Sequence, residues 1–344
     1  MQNNDNIVIF GGSGFIGSHL AIYYLDNHLT DHVYVADLVP PQFSNLPSKL
    51  KDYYNQGKIE YLHVDVRKPI YNDKLPSQTD IIFNFAAVHR EPGHHALEYF
   101  ETNLPGAEHV CQWAEEVGCN RIVFTSSIAV YGTVNSGPKS ETSLPSPLSP
   151  YGISKLVAEK MHTQWQIADQ NRKLLIVRPG VIYGTGEAGN ITRMVKAILK
   201  GYFVFTGNQH IVKSGGYVKD LVRSIDFMYR KQTADNSPLM LYNFTLHPSA
   251  NLEQYALAIQ KVAKKHSKIW NVPYRLLLPA SAVVSVVASI FGIKQPINPA
   301  RVRKLLRQNN IIPHELINTD FEYKYTLEQS LQDWLIEHPE DWGR

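Results

Sequence analysis

The sequence predicts an α/β protein, a doubly wound parallel sheet followed by a smaller C-terminal lobe. Three observations carry that prediction. Short β-branched runs alternate with longer helical patterns over the first two-thirds of the chain, the first apolar run leads into a glycine-rich turn that opens a helix, and the alternation loosens after Arg178. Strands alternating with helices imply right-handed crossovers and a sheet covered on both faces. A ligand is then expected at the carboxyl ends of the strands, where the strand order reverses.

Taken in order, residues 7–10 are an uninterrupted apolar strand and 14–28 carry helical periodicity. Residues 33–37, 59–64, 80–85, 121–126 and 174–178 read as further buried strands, and 95–118 and 150–169 as helices. Residues 1–178 are expected to form the first domain and 179–344 mainly the second lobe, with some segments returning to the sheet. That lobe has strands near 202–206 and 241–244, and an amphipathic stretch at 327–336.

Composition narrows the class. The 344 residues are 44% hydrophobic and 19% charged, which excludes a disordered or collagenous chain. The 34 Lys and Arg against 31 Asp and Glu give a net charge of only +3, and the basic residues read as scattered, so no nucleic-acid partner is expected. Cys111 and Cys119 lie eight apart, with neither CxxC nor metal-type spacing. A reduced compartment and no metal are expected, His94-His95 included. The N-terminus lacks the basic region of a signal peptide, which points to the cytoplasm. One run, 276–293, has no charge at all and is followed by Lys294, Arg301, Arg303, Lys304 and Arg307. It reads either as a buried helix or, over 276–307, as a peripheral contact with the inner face of a membrane.

The first turn reads Gly11-Gly12-Ser13-Gly14-Phe15-Ile16-Gly17. Glycines at 11, 14 and 17 permit a tight turn, close backbone approach to a pyrophosphate and close helix–strand packing. The next strand ends at Asp37, about 20 residues beyond the last glycine, where a carboxylate accepts both ribose hydroxyls of NAD and repels a 2′-phosphate. No Arg follows within Leu38-Val39-Pro40-Pro41, which agrees with NAD as cofactor. Asp65 and Val66, after the third strand, suit an adenine edge, and Ala86 and Ala87 are small residues where a dinucleotide would cross the sheet.

The chemistry-bearing residues follow the fifth strand. Thr125-Ser126-Ser127 precedes Tyr151-Gly152-Ile153-Ser154-Lys155, whose Tyr and Lys at i and i+4 share one helix face. The Lys cation is expected to lower the phenol pKa and to hydrogen-bond the nicotinamide ribose. Tyr then exchanges a proton with a substrate hydroxyl while a Ser hydroxyl holds the same oxygen.

These residues resemble the extended short-chain dehydrogenase/reductase superfamily, in particular its NAD-dependent sugar epimerase/dehydratase branch, most strongly over residues 7–221. The resemblance implies a Rossmann sheet with a substrate-binding lobe, and Ser127, Tyr151 and Lys155 as the catalytic residues. It implies Gly11, Gly14, Phe15, Ile16, Gly17, Asp37, Asp65, Val66, Ala86, Ala87, Lys155 and Arg178 at the cofactor, with Asn103 holding the segment beneath it. Dehydratases of the branch place an Asp-Glu pair directly after the catalytic hydroxyl; here Ile128-Ala129 stands there, which leaves epimerisation, ketone reduction or alcohol oxidation. Lys213 stands where uridine-sugar epimerases usually have Arg, and Val181 where they have Asn. The segments Ala86-Ala87-Val88-His89-Arg90, 178–184, Gly189-Asn190 and 212–218, with 301–305 and 321–327 near the C-terminus, are similar to a narrower group, the undecaprenyl-diphosphate-N-acetylglucosamine 4-epimerases.

The expected activity is NAD-dependent C4 epimerisation of a diphosphate-linked hexose or N-acetylhexosamine in surface polysaccharide biosynthesis, with His89, Arg90, Asn190, Lys213 and Tyr217 at the substrate. A reductase of a nucleotide 4-keto-6-deoxy sugar and a sugar dehydrogenase share the constellation. A non-catalytic NAD-binding protein is disfavoured because both Tyr151 and Lys155 are present. The resemblance also implies a homodimer through 96–117 and 151–169.

Overall fold

Side chains alternate between the two faces of each strand, and in β1 (Ile7–Phe10) every residue is buried, so both faces must be covered. The computed structural model describes residues 5–71, 73–91, 93–132, 137–275, 279 and 308–343. Beside β1 lie β2 (Val33–Asp37), β3 (Ile59–His63), β4 (Ile81–Asn84), β5 (Arg121–Thr125), β6 (Lys173–Pro179) and β10 (Leu239–Phe244). They form one seven-stranded sheet in the order β10-β6-β5-β4-β1-β2-β3, with every pairing parallel. The chain runs outward from β1 to β3 and returns on the other side at β4, so the reversal of order falls beside β1, as the doubly wound reading requires.

Helices α1 (Phe15–Asp26) and α6 (Val218–Ala234) cover one face, where Leu20, Tyr24, Leu221 and Ile225 pack on Ile7, Ile9, Val35 and Val177. Helices α3 (Ala96–Glu116) and α4 (Pro150–Ile167) cover the other, where Val110, Trp113 and Trp165 pack on Val8, Phe10, Ile82 and Ile176. The strands and helices expected over residues 7–178 are all present, with ends shifted by one or two residues. A short helix, α2 (Ser48–Asn55), lies between β2 and β3 and has no counterpart in the sequence reading. Cys111 and Cys119 are both buried free thiols in the second core.

The lobe has its own core, built by α5 (Asn190–Leu199), α7 (Leu252–Val262) and α9 (Leu327–Glu337) around Tyr183, Tyr217, Tyr255 and Trp334. Two small parallel ribbons serve it: β7 (Val181–Tyr183) with β9 (Gly215–Tyr217), and β8 (Val204–Thr206) with β11 (Trp270–Val272). A one-turn helix, α8 (His314–Ile317), packs beside β10. The strand expected at 241–244 is the edge strand β10 of the main sheet, and α6 returns with it. Among the described residues no helix is long and apolar enough to cross a membrane. The uncharged run at 276–293 and the basic residues up to 307 lie, apart from Pro279, outside the described residues.

Candidate active site

The glycine turn sits at the carboxyl end of β1, against the end of β4. Gly11 has φ +76°, and a Cβ there would stand 2.6 Å from the Ala86 nitrogen. A Cβ on Gly17 would stand 2.6 Å from the Gly12 Cα. The turn therefore tolerates no side chain at either place. Gly14 opens α1 without a side-chain cap, and no acidic residue stands in the helix's first turn. The helix N-terminus presents positive potential to the cleft. Asp37 reaches across from β2 to accept the Ser13 amide at 3.1 Å. Burial raises its carboxyl pKa, against lowering by the Val39, Leu38 and Ser13 amides.

An NAD molecule fits these residues. The cradle closes to any side chain, the carboxylate stands beside it, and the buried Ser13 Oγ and Ser126 Oγ have no partner within the described protein. Asp65 is bound bidentately by Arg67 at 2.8 Å on each oxygen. Val66 is buried against Gly106, with its carbonyl facing His109 Nδ1 at 2.8 Å.

Ser127 lies just past the end of β5. Its Oγ accepts the Ala129 amide at 3.1 Å and begins a single 3-10 turn. Helix α4 begins with Ser149 accepting the Gly152 amide at 3.1 Å and Pro150 in its first turn, a favoured N-terminal pattern. That start places Tyr151 at the cleft, beside Ser127, and Lys155 one turn deeper. Burial pushes the Tyr151 phenol up to about 12, and the nearby Ser127 hydroxyl lowers it only in part. Lys155 is 2% exposed, with Nζ 4.5 Å from the centre of the Phe124 ring. Burial pushes its ammonium down to about 7, opposed by the charge of Glu159. The ammonium thus lies over the Phe124 ring, one helical turn deeper than the Tyr151 phenol.

Asn103 of α3 ties this helix pair to the loop after β4. It accepts the Val88 amide at 2.8 Å and donates to the Val88 carbonyl and to Ser154 Oγ, at 3.2 and 2.9 Å. The same loop carries His89 and Arg90, both exposed. Although His89 keeps part of its surface in solvent, its ring is desolvated by the surrounding loop, which with the Arg90 and Lys155 charges lowers its pKa against the opposing backbone contact at Ala87. Asn190 is the first residue of α5 and accepts from Arg193 at 3.0 Å, while Lys213 is half-buried before β9.

Two expected site residues are placed elsewhere. Arg178, expected at the cofactor, is 4% exposed and bound bidentately to Glu159 at 2.8 and 2.7 Å, with a further bond to the Tyr131 hydroxyl. Its guanidinium points into the core because the buried Glu159 needs a counter-charge there. Tyr217, expected at the substrate, is fully buried in the lobe core, and its hydroxyl donates to Asp333. In return the structure adds Glu159, four residues beyond Lys155 on the same face. The i, i+4 spacing was visible, but nothing local distinguished this Glu from a solvated one. His162, stacked on Phe124 at 4.2 Å and hydrogen-bonded to Asn84 at 3.1 Å, is a second buried polar residue with no sequence signal.

A parallel sheet whose glycine turn, acidic strand end and Ser-Tyr-Lys group meet at one cleft defines an enzyme of the extended short-chain dehydrogenase/reductase type. The description of the NAD dependent epimerase/dehydratase family matches residues 7–243, and the chain belongs to that family. It is 28% identical over 329 residues, 95% of this chain and 93% of the relative, to N-acetyl-alpha-D-glucosaminyl-diphospho-ditrans,octacis-undecaprenol 4-epimerase of Escherichia coli O157:H7. It is also 28% identical to a UDP-glucose 4-epimerase of Lactobacillus helveticus, over 78% of this chain and 84% of that one. Among solved structures it resembles UDP-N-acetylglucosamine 4-epimerase from Methanobrevibacter ruminantium M1, with a TM-score of 0.73 and 20% identity over 97% of this chain and 98% of that one.

Proposed function

We propose that this enzyme catalyses C4 epimerisation of a hexose or N-acetylhexosamine carried on a diphosphate, and that the carrier is a polyprenol. The observation that supports it most is the placement of Tyr151 and Lys155, one turn apart on α4, beside Ser127 at the carboxyl end of β5, with no carboxylate pair following Ser127. Tyr151, as the phenolate that the Lys155 charge would favour once the cofactor and substrate are bound, takes the proton of the C4 hydroxyl and later returns one to the same oxygen. Ser127 hydrogen-bonds that oxygen throughout and keeps it aligned with the phenol. NAD supplies, when bound, reversible acceptance of the C4 hydride. Gly11, Gly14, Gly17, Asp37 and the α1 N-terminus would hold it, and Lys155 would bind its nicotinamide ribose. Ile128 and Ala129 provide no second acid or base, so the sugar's C5 and C6 are left untouched.

His89, Arg90, Asn190 and Lys213 are proposed for the diphosphate and the sugar hydroxyls. Leu97, Ile153 and Val157, exposed on α3 and α4, support a homodimer through those helices. The similarity to the undecaprenol-linked relative over almost the whole of both chains favours the lipid carrier.

The test incubates pure protein, freed of external nicotinamide, with UDP-hexosamines and separately with a polyprenyl-diphosphate hexosamine. The C4 epimer should form from the lipid-linked sugar over many turnovers. A stoichiometric change in nicotinamide absorbance would indicate a reductase or dehydrogenase instead, and turnover of nucleotide sugars alone would reject the lipid carrier. Tyr151→Phe should lower turnover by about 10²–10⁴-fold while NAD still binds, and near-normal turnover would remove Tyr151 from the mechanism.

A further inference from the structure

The net charge of +3 conceals a polar division of the molecule. Between Glu187 and Asp220 the chain has four Lys and one Arg and no acid, and between Glu253 and Glu315 it has six Lys and four Arg and again no acid. The rest of the chain holds the remaining 19 basic residues against all 31 acidic ones. The positive charge that read as scattered is thus concentrated in two segments far apart in sequence.

The fold brings these segments together. β8 pairs with β11, in the register Val204 to Trp270. Lys265 Nζ donates to the Leu199 carbonyl at the end of α5, and α5 packs on α7. Tyr202 and Lys268 stand two residues before the paired positions, at the same end of the ribbon. Lys196, Lys200, Lys264, Lys268 and Arg275 are all exposed, and none of them forms an ion pair among the described residues. Amid them stand two exposed aromatic rings, Tyr202 at 64% and Trp270 at 62%, with Lys268 Nζ 4.1 Å from the Trp270 ring centre.

We propose that this face of the lobe, formed by the end of α5, the β8–β11 ribbon and residues 264–275, docks on an anionic lipid bilayer. Clustered Lys and Arg bring a surface toward anionic headgroups, and Trp and Tyr rings settle at the headgroup level. A site for nucleic acid would also be basic, but it would not need an uncharged run such as 276–293 directly following the aromatic residues. The surface deepens the reading of a lipid-carried substrate, yet binding can be measured without any turnover.

The chain supplies its own probe. Of the five tryptophans, Trp113, Trp165, Trp334 and Trp342 are no more than 5% exposed, so lipid contact would be felt by Trp270. The full-length protein should co-sediment with vesicles of phosphatidylcholine and phosphatidylglycerol, not with phosphatidylcholine alone, and high salt should release it. Brominated lipid should quench part of its tryptophan fluorescence, and Trp270→Phe should remove that part. The variant Lys196→Glu/Lys264→Glu/Lys268→Glu should bind the anionic vesicles at least about 100-fold more weakly. Its NAD binding and melting temperature should be unchanged. Equal binding to both vesicle types, no quenching at Trp270, an unaffected triple variant, or tighter binding to duplex DNA than to vesicles would each overturn the proposal. Vesicle binding without turnover of the lipid-linked sugar would refute only the substrate.

Discussion

Lys155 and Arg178 are both buried cations, and the surroundings treat them in opposite ways. Arg178 has Glu159 and Tyr131 as direct partners and keeps its charge. Lys155 lies over an aromatic ring, and burial brings its pKa to about 7 from the ordinary 10.5. A lysine depressed in the native state burdens the fold while both states are charged, below about 7. That burden is relieved as pH rises toward 10.5, where the unfolded chain alone holds the proton. Wild-type protein should therefore gain stability relative to Lys155→Met as pH is raised through this window, read by urea denaturation at stepped pH. A difference independent of pH would contradict the depressed value. Arg178→Met leaves the Glu159 carboxylate buried and alone, and should cost about 3–5 kcal/mol. A small stability loss with a large loss of NAD affinity would return Arg178 to the cofactor site.

At the scale of elements, the site depends on how closely β1, the glycine turn and α1 approach one another. Gly17 packs directly on the turn, with the Gly11 carbonyl 2.8 Å from where a Cβ would stand. Gly17→Ala must displace the start of α1 from Gly11 and Gly12, at a cost of about 1–3 kcal/mol. NAD affinity measured by calorimetry should fall with it, since the helix N-terminus is what faces the pyrophosphate. Wild-type affinity in that variant would show that the turn has slack. Helix α4 illustrates the same dependence from the other side of the cleft. Its start is set by Ser149 and Pro150, and a shift of one residue would rotate Tyr151 about 100° away from Ser127.

At the scale of the whole molecule, two layers of helix share the sheet, and the second lobe is stitched into the first. β6, fully buried over Leu174–Val177, has β10 as its outer neighbour, and α6 supplies Leu221 and Ile225 to the same core as α1. A fragment ending at residue 178 would lose that strand and helix and expose the β6 edge, an open template for aggregation. Expressed alone it should be insoluble, whereas a fragment 1–250 should stay in solution more readily. Soluble, cooperatively melting 1–178 would show that the first domain closes without β10.

The sequence by itself determined the parallel sheet, the glycine turn, Asp37, and the Ser127, Tyr151 and Lys155 trio. Each of those rests on local spacing, a two- or four-residue period or a turn that admits only glycine, and local spacing survives in a linear text. It also placed Arg178 and Tyr217 where their family motifs stand, but not where their side chains point. Only the tertiary structure decided that Arg178 serves Glu159, that Tyr217 belongs to the lobe core, and that Lys155 lies desolvated over Phe124. The same holds for the basic face, whose two acid-free segments meet only through the β8–β11 pairing. In each case the deciding partner is distant in sequence, and burial and charge pairing are properties of neighbours in space.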